Sequence, residues 1–360
     1  MRELLATVAR VGTDIALGSS EPLDPQLRRA LHGSLGTVRR IERLAEDSHT
    51  TRHLRVDVQL ARGGRRAVFV KTPSRSATTR VLVEAAGLTA GEVRFYRTLA
   101  ANVPVQVPAC LHARHDGTRF MLVLEDLTDQ AHLPYSSDAC TARQAMTVIN
   151  GLADLHAFGW DRPKRGTSSG WLLAQADRER TLGTWLRLPL MRRGLELAGE
   201  QVPPRLAAEA LRYARHHRIA DRRLTEPPHT LVHNDCHTGN LAFGAEDQPI
   251  FLDWQMVRAG QWARDVAYFC TLALDPDDRR SGEGLLLDRY RRRLRAAGGP
   301  HLDPDEARES CRRHAVYALE AVIVTLALGA APREDIDTWL ARATAAVEDL
   351  ESFDALQLPA

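Results

Sequence analysis

The sequence predicts an α+β fold of two lobes: a small lobe with a five-stranded antiparallel sheet and one key helix, then a larger, mainly helical lobe. Three observations carry this expectation. Between Thr37 and Leu124 the apolar residues fall in short runs, several at period two, whereas beyond residue 140 they recur at helical spacing. The two patterns are segregated along the chain instead of alternating, which separates α+β from α/β. Within the helical part, one polar cluster around Asp235 breaks the periodicity and is flanked by short apolar strands.

Taken in order, residues 1–34 read as an amphipathic helical extension, broken at Gly18 to Pro22, with a second helix opening at Asp24 and Pro25. The small lobe spans 35–126. Thr37 to Leu44, Arg52 to Leu60 and Ala67 to Val70 are three strands, the middle one strictly alternating, with Gly63 and Gly64 turning the last pair. The turn from Ala45 to Thr51 contains no glycine; Ser48, Thr50 and Thr51 supply hydroxyls in its place. A helix follows over Ala90 to Leu99, with Phe95, Tyr96 and Leu99 on the face of Glu92. Val103 to Pro108 reads as extended, and Arg119 to Leu124 as the fifth strand.

The larger lobe spans 127–360. Thr141 to Trp160 is a helix with Met146, Ile149, Leu152, Ala153 and His156 on one stripe, His156 reading as a core histidine. Residues 161–228 are helical and arginine-rich, broken near Gly166 and at Pro203 and Pro204, with no repeat or motif. Arg289 to Arg295 is the densest basic run and reads as a solvated helix face, with Leu285, Leu286, Tyr290 and Leu294 turned inward. Ala321 to Ala331 is apolar but too short to span a bilayer.

Composition narrows the function. At 360 residues there is room for two lobes, and a formal charge of +2 gives no field that would favour nucleic acid. Five scattered cysteines without a Cys-x-x-Cys favour a reducing compartment. Met1 to Ser20 lacks the unbroken apolar segment of a secretory signal. The expectation is a soluble, cytoplasmic protein with neither nucleic-acid nor membrane partner.

The stretch from His233 to Asn240 holds His233, Asp235, His237 and Asn240, and Asp253 follows one hairpin later. Thr230 to Val232 leads into it, Leu241 to Phe243 leaves it, and Ile250 to Leu252 ends at Asp253. An acid, an amide five positions on and a second acid at a strand end suit phosphoryl transfer from a magnesium nucleotide. Asp235 would accept the proton of an attacking hydroxyl, while Asn240 and Asp253 offer oxygen ligands to Mg²⁺. Acid and amide stand at the same spacing in the catalytic loop of protein kinases. Three other readings attach to the same residues: a thiol enzyme with Cys236 as nucleophile, a hydrolase with a metal on His233, Asp235 and His237, and a nucleotide-binding protein without catalysis.

The segment resembles the His-x-Asp-x-His-x-x-Asn loop of the aminoglycoside phosphotransferases and of the related choline-kinase-like and ecdysteroid-kinase-like families. His233, Asp235, His237 and Asn240 match it one for one, and Asp253 matches the metal-binding aspartate. Phe251 to Phe269 is similar to the choline-kinase-like branch. The resemblance covers roughly residues 35 to 350 and is specific over 230–270. It implies a protein-kinase-like fold, an ATP-dependent (or GTP-dependent) transfer to a small-molecule hydroxyl, Mg²⁺ as cofactor, and Asp265 bracing the loop from a following helix. His233 and His237 would fix the loop by hydrogen bonds. Asp253-Trp-Gln replaces the Asp-Phe-Gly of protein kinases, which points away from a protein substrate.

The sequence holds two lysines, Lys71 and Lys164, among 48 basic residues. A lysine kept at the end of the Ala67–Val70 strand suggests a compact ammonium at a phosphate contact, where the planar fork of arginine does not substitute. The kinase pattern pairs such a lysine with a helix glutamate, here Glu92, with Glu84 as the rival. Leu124 to Leu127 would be the hinge, and Glu125 and Leu127 are assigned to the nucleotide by position alone. Ser48 is assigned to the phosphates through its hydroxyl. No motif marks the acceptor: an aminoglycoside, a macrolide, an amino alcohol, a sterol-like alcohol or a sugar would suit the same chemistry.

Overall fold

The computed structural model describes residues 2–16, 23–48 and 50–359. The chain divides into two compact units, one of residues 1–102 and 107–130, the other of 103–106 and 131–360. The first contains helices α1 (Arg2–Ala16) and α2 (Leu23–Leu35), strands β1 (Val38–Ser48), β2 (Thr51–Leu60) and β3 (Arg65–Pro73), helices α3 (Ala77–Ala86) and α4 (Leu88–Thr98), and strands β4 (Cys110–Asp116) and β5 (Arg119–Glu125). The strands form one antiparallel sheet in the order β1-β2-β3-β5-β4.

Period two explains how this sheet is covered. Leu54, Val56 and Val58 of β2 and Val68 and Val70 of β3 are fully buried on one face, where Leu27 and Leu31 of α2 join the same core. The residues read as an N-terminal extension therefore supply part of the packing of this unit. The break expected at Gly18 to Pro22 lies outside the described residues. Gly63 and Gly64, at φ 92° and 91°, turn β2 into β3 in a conformation that glycine adopts without strain.

Three expectations need correction here. The fourth strand is Cys110–Asp116, and the extended segment 103–106 belongs to the other unit, where Gln106 bridges Ile250. β1 continues to Ser48, so Ala45 to Ser48 are paired with Arg52 to Arg55 instead of forming the turn. A helix not foreseen, α3, precedes α4: the Ser76 hydroxyl accepts from the Thr79 N–H at its start, and Gly87 at φ 71° separates the two helices.

The second unit contains α5 (Ala142–Gly159), α6 (Trp171–Ala198), α7 (Pro204–Arg215), α8 (His217–Leu224), strands β6 (Thr230–Val232), β7 (Leu241–Phe243), β8 (Pro249–Phe251) and β9 (Arg258–Gly260), then α9 (Ala263–Leu272), α10 (Pro276–Ala296), α11 (Pro304–Leu328), α12 (Arg333–Asp349) and α13 (Ser352–Ala355). β6 pairs with β9 and β7 with β8. A large apolar core joins α6, α7, α9, α11 and α12, with Met191, Tyr213, Leu272, Ile323 and Leu340 inside it. Thr141 opens α5 with a capping box to Gln144.

Two apolar assignments fail on their helices. Leu285 is 73% exposed whereas Leu286, Tyr290 and Leu294 are buried, because the inward face of α10 begins one residue later. Met146 is 39% exposed, the buried stripe of α5 running instead through Ala145, Ile149, Leu152 and His156. Arg293 in the basic run pairs with Asp154, and Arg289 donates to Asn150. Among the described residues no helix is long and apolar enough to cross a membrane.

Candidate active site

The loop from His233 to Asn240 is suspended between two short strands. β6 enters it, held by β9, and β7 leaves it, held by β8. Burial of these three-residue strands makes their ends stiff, so the polar groups between them are presented from fixed backbone.

Asp265, on the first turn of α9 and fully buried, accepts the backbone N–H of His233 at 2.7 Å on Oδ2 and that of Asn234 at 2.7 Å on Oδ1. His156 Nε2 lies 3.2 Å from Oδ2, and Tyr290 OH is 2.8 Å from His156 Nδ1. These donors hold the Asp265 carboxyl below its ordinary range although burial opposes it. The acid thus pins the loop backbone immediately ahead of Asp235.

His233 ties the two acids of the motif together. Its Nε2 meets the Leu252 carbonyl at 2.7 Å, so that nitrogen donates, and its Nδ1 accepts the Asp235 N–H at 3.3 Å. One imidazole therefore spans from the backbone of Asp235 to the residue before Asp253. His237 caps the short turn Thr238–Asn240 by accepting the Gly239 N–H at 3.2 Å on Nδ1. Burial lowers its pKa to about 4, so it is neutral near pH 7. Gly239 has no room for a side chain: a Cβ there would stand 2.1 Å from Ser136 Oγ.

Asp235 projects from this scaffold with one fifth of its side chain exposed. Asn240 Nδ2 donates to Asp235 Oδ2 at 3.0 Å and to its backbone carbonyl at 2.9 Å, and Tyr268 OH donates to Oδ1 at 2.8 Å. Burial, then the charge of Asp253, raise the Asp235 carboxyl to about 7, against the lowering effect of those two donors. Asp253 follows β8 in the left-handed region, φ 50°, a conformation uncommon outside glycine.

Asn240 and Asp253 fit a hard cation. With its amide nitrogen turned to Asp235, Asn240 keeps its carbonyl oxygen as a ligand atom. The repulsion between Asp235 and Asp253 is the field that a cation would relieve. Two protein oxygens, with water and phosphate completing the shell, are the usual complement for Mg²⁺.

The thiol and metal-cluster readings find no support. Cys236 is fully buried, and burial with nearby acids pushes its thiol well above the ordinary value, the opposite of an activated nucleophile. Among the described residues no three His, Cys, Asp or Glu side chains gather as metal ligands.

In the first unit, Lys71 Nζ lies 2.7 Å from Glu92 Oε1, both side chains almost fully buried. Glu84, the rival, instead binds the Thr89 hydroxyl and His115. Glu125 exchanges two hydrogen bonds with Ala109: its N–H donates to the Ala109 carbonyl at 2.9 Å and its carboxylate accepts the Ala109 N–H at 2.7 Å. Its backbone donor is thereby engaged. The Leu127 carbonyl accepts from the Gln130 N–H. The assignment of the Ser48 hydroxyl lies outside the described side chains.

Sequence reasoning passed over Tyr268, Arg258 and Tyr317. Arg258 donates to Asn234 Oδ1 at 2.8 Å and Tyr317 OH sits 3.3 Å from the Asn234 carbonyl. For Tyr268 a signal existed: it lies three positions after Asp265 on one helix, so a residue bracing the loop implies that the tyrosine faces it too.

The model of the phosphotransferase enzyme family matches residues 40–310. Among solved structures, an ethanolamine kinase from Plasmodium vivax superposes with a TM-score of 0.55 at 12% identity, covering 85% of this chain and 81% of that one. A microcompartment-associated aminopropanol kinase gives 0.51 at 14% identity, covering 89% and 94%. A choline kinase from Streptococcus pneumoniae gives 0.50 at 14%, covering 92% and 99%. At these identities the likeness is one of fold, a small antiparallel sheet followed by a mainly helical part. No curated protein matches the chain.

Proposed function

The chain belongs to the phosphotransferase enzyme family, and from that premise we propose that it moves the γ-phosphoryl group of ATP to a hydroxyl group of a small molecule. The observation that carries this reading is the setting of Asp235: a partly exposed carboxylate, oriented by two donors and faced by the second acid of the motif.

Asp235 takes the proton of the acceptor hydroxyl as its oxygen bonds to the γ-phosphorus. The bond from that phosphorus to the β–γ bridging oxygen breaks, its electron pair leaving with ADP. Asn240 and Asp253 would hold Mg²⁺, which when bound supplies positive charge to the phosphate oxygens. Lys71, kept in place by Glu92, adds a positive charge for the nucleotide phosphates, and Glu125 and Leu127 lie along the segment assigned to the base. His233, His237 and Asp265 hold the loop and do not exchange protons with substrate. This chemistry belongs in a reducing, ATP-rich compartment, where the five free cysteines also fit.

The test is transfer from labelled ATP with Mg²⁺ across a panel of amino alcohols, sugars, aminoglycosides and macrolides. The wild-type protein should phosphorylate at least one class and be stabilised by Mg²⁺–ATP. Asp235→Asn should lose turnover by at least about a hundredfold, the scale of a lost general base, and Cys236→Ser should keep it. Stabilisation by nucleotide with transfer to no hydroxyl would instead identify a binding protein without catalysis.

A further inference from the structure

Resting on the phosphotransferase reading above, we propose that Tyr268 is a positioning residue for Asp235, its hydroxyl setting the direction in which the carboxylate meets the attacking alcohol. The carboxylate of an aspartate turns freely about its last torsion unless donors hold it. Here each oxygen has one: Asn240 Nδ2 at 3.0 Å on Oδ2 and Tyr268 OH at 2.8 Å on Oδ1. Together they fix the plane of the group. A single donor leaves it free to swing about that bond.

Tyr268 is itself held firmly. It is buried on α9, three residues after Asp265, so one rigid helix sets the loop backbone through the acid and the Asp235 side chain through the phenol. Its ring packs 5.3 Å from that of Tyr317, whose hydroxyl contacts Asn234. A phenol donates a single hydrogen bond, and here that bond is spent on Oδ1. The phenol therefore carries its proton where it meets Asp235, and it leaves the remaining lone pairs of Oδ1 for substrate. General-base transfer needs the proton within hydrogen-bond reach and in line, so a swinging carboxylate lowers the rate without altering how nucleotide binds.

The experiment compares wild type, Tyr268→Phe, Asp235→Asn and the double variant with Mg²⁺–ATP and an accepted alcohol. Removing only the phenolic oxygen should lower kcat about tenfold or more, the loss expected for one charge-assisted hydrogen bond. KM for ATP and the Mg²⁺–ATP thermal shift should be unchanged. In the Asp235→Asn background the same change should have no further effect, since the tyrosine acts only through that acid. A Tyr268→Phe variant with wild-type kcat, or an equal loss in both backgrounds, overturns the proposal while leaving the phosphotransferase reading intact. A wild-type protein that transfers phosphate to no alcohol overturns both.

Discussion

Arg258 Nη2 donates to the side-chain carbonyl of Asn234 across 2.8 Å, and Asn234 is the left-handed residue, φ 72°, immediately before Asp235. The guanidinium is buried, pairs with Glu179 of α6, and has its pKa lowered to about 9 by burial. It therefore links α6, in the motif-free region, to the loop that carries Asp235. Arg258→Leu takes the guanidinium away from both partners and should cost about 3 kcal/mol in denaturant unfolding. Turnover should fall at least tenfold. Arg258→Lys should recover little of either, because one ammonium lacks the fork that reaches two partners at once. Wild-type kinetics in Arg258→Leu would show that Asn234 keeps its conformation unaided.

Asp265→Asn tests the brace. The replacement turns one acceptor oxygen into an NH₂ group, so either the His233 or the Asn234 N–H faces a donor in a buried site. The expected loss is about 2–4 kcal/mol, from one charge-assisted bond and one unsatisfied buried group. Because the folded state holds this carboxyl below its ordinary value, its contribution is present in full above the unfolded pKa. It disappears as pH falls through the lower folded value. Thermal melts from pH 7 to 3 should therefore show a smaller acid-induced drop for Asp265→Asn than for wild type.

What the sequence disclosed and what it hid divide along a physical line. β2 was legible because Leu54, Val56 and Val58 alternate with polar residues on a half-buried sheet. The loop around Asp235 was legible because its chemistry is local, with acid, amide and cap within eight residues. β4 was hidden: Cys110 to Asp116 is an edge strand with only partial burial, so it carries no alternation, whereas the valines of 103–107 imitate a strand. Arg258 and Tyr317 reach the loop only because β9 and α11 converge on it, and no spacing along the chain encodes that convergence. The exposed Leu285 shows the same limit at one residue, since four apolar positions of α10 admit two faces and packing selects one.

The Lys71–Glu92 pair should behave as a coupled unit. Both side chains are buried, 4% and 1% exposed, so Lys71→Met takes the ammonium from a carboxylate sealed away from water. We expect a loss of about 3–5 kcal/mol. Lys71→Met combined with Glu92→Gln should be more stable than Lys71→Met alone, since no charge is then left behind. Both variants should lose the thermal shift given by Mg²⁺–ATP. A double-mutant cycle on the melting temperature checks the coupling, and strict additivity would contradict it.

His314 sets an acid limit on stability away from the site. It is buried on α11, with Nδ1 2.8 Å from the Ser310 carbonyl and Nε2 3.2 Å from the Leu224 carbonyl. Burial lowers its pKa to about 4; those carbonyls oppose the shift, and the charges of Arg264 and Arg313 reinforce it. The unfolded chain takes up a proton near pH 6.5 and the folded protein only near pH 4, so stability falls as pH drops between these values. The shift corresponds to about 3 kcal/mol. His314→Gln retains a donor but does not titrate, so its unfolding free energy should decline less over pH 6.5 to 4. Equal slopes would show that this histidine protonates without opening the fold.

Gly159 closes α5 where the helix meets β6, the strand that leads into the loop from His233 to Asn240. A Cβ at this position would stand 2.4 Å from the Leu231 backbone nitrogen, 2.5 Å from Leu231 Cβ and 2.8 Å from Thr230 Oγ1. The first of these atoms is main chain inside the β6–β9 pair and cannot rotate away. Gly159→Ala must therefore push β6, and His233 after it, or move the end of α5. We expect a cost of about 1–3 kcal/mol, the usual range for overpacking, together with a fall in kcat larger than any change in KM for ATP. Gly282 of α10 is the matched control, with nothing within 4 Å of its added Cβ. Gly282→Ala should leave kcat unchanged and gain about 0.5–1 kcal/mol from helix propensity. Equal stability and turnover in the two alanine variants would mean that the α5–β6 contact yields freely and does not set the position of the loop.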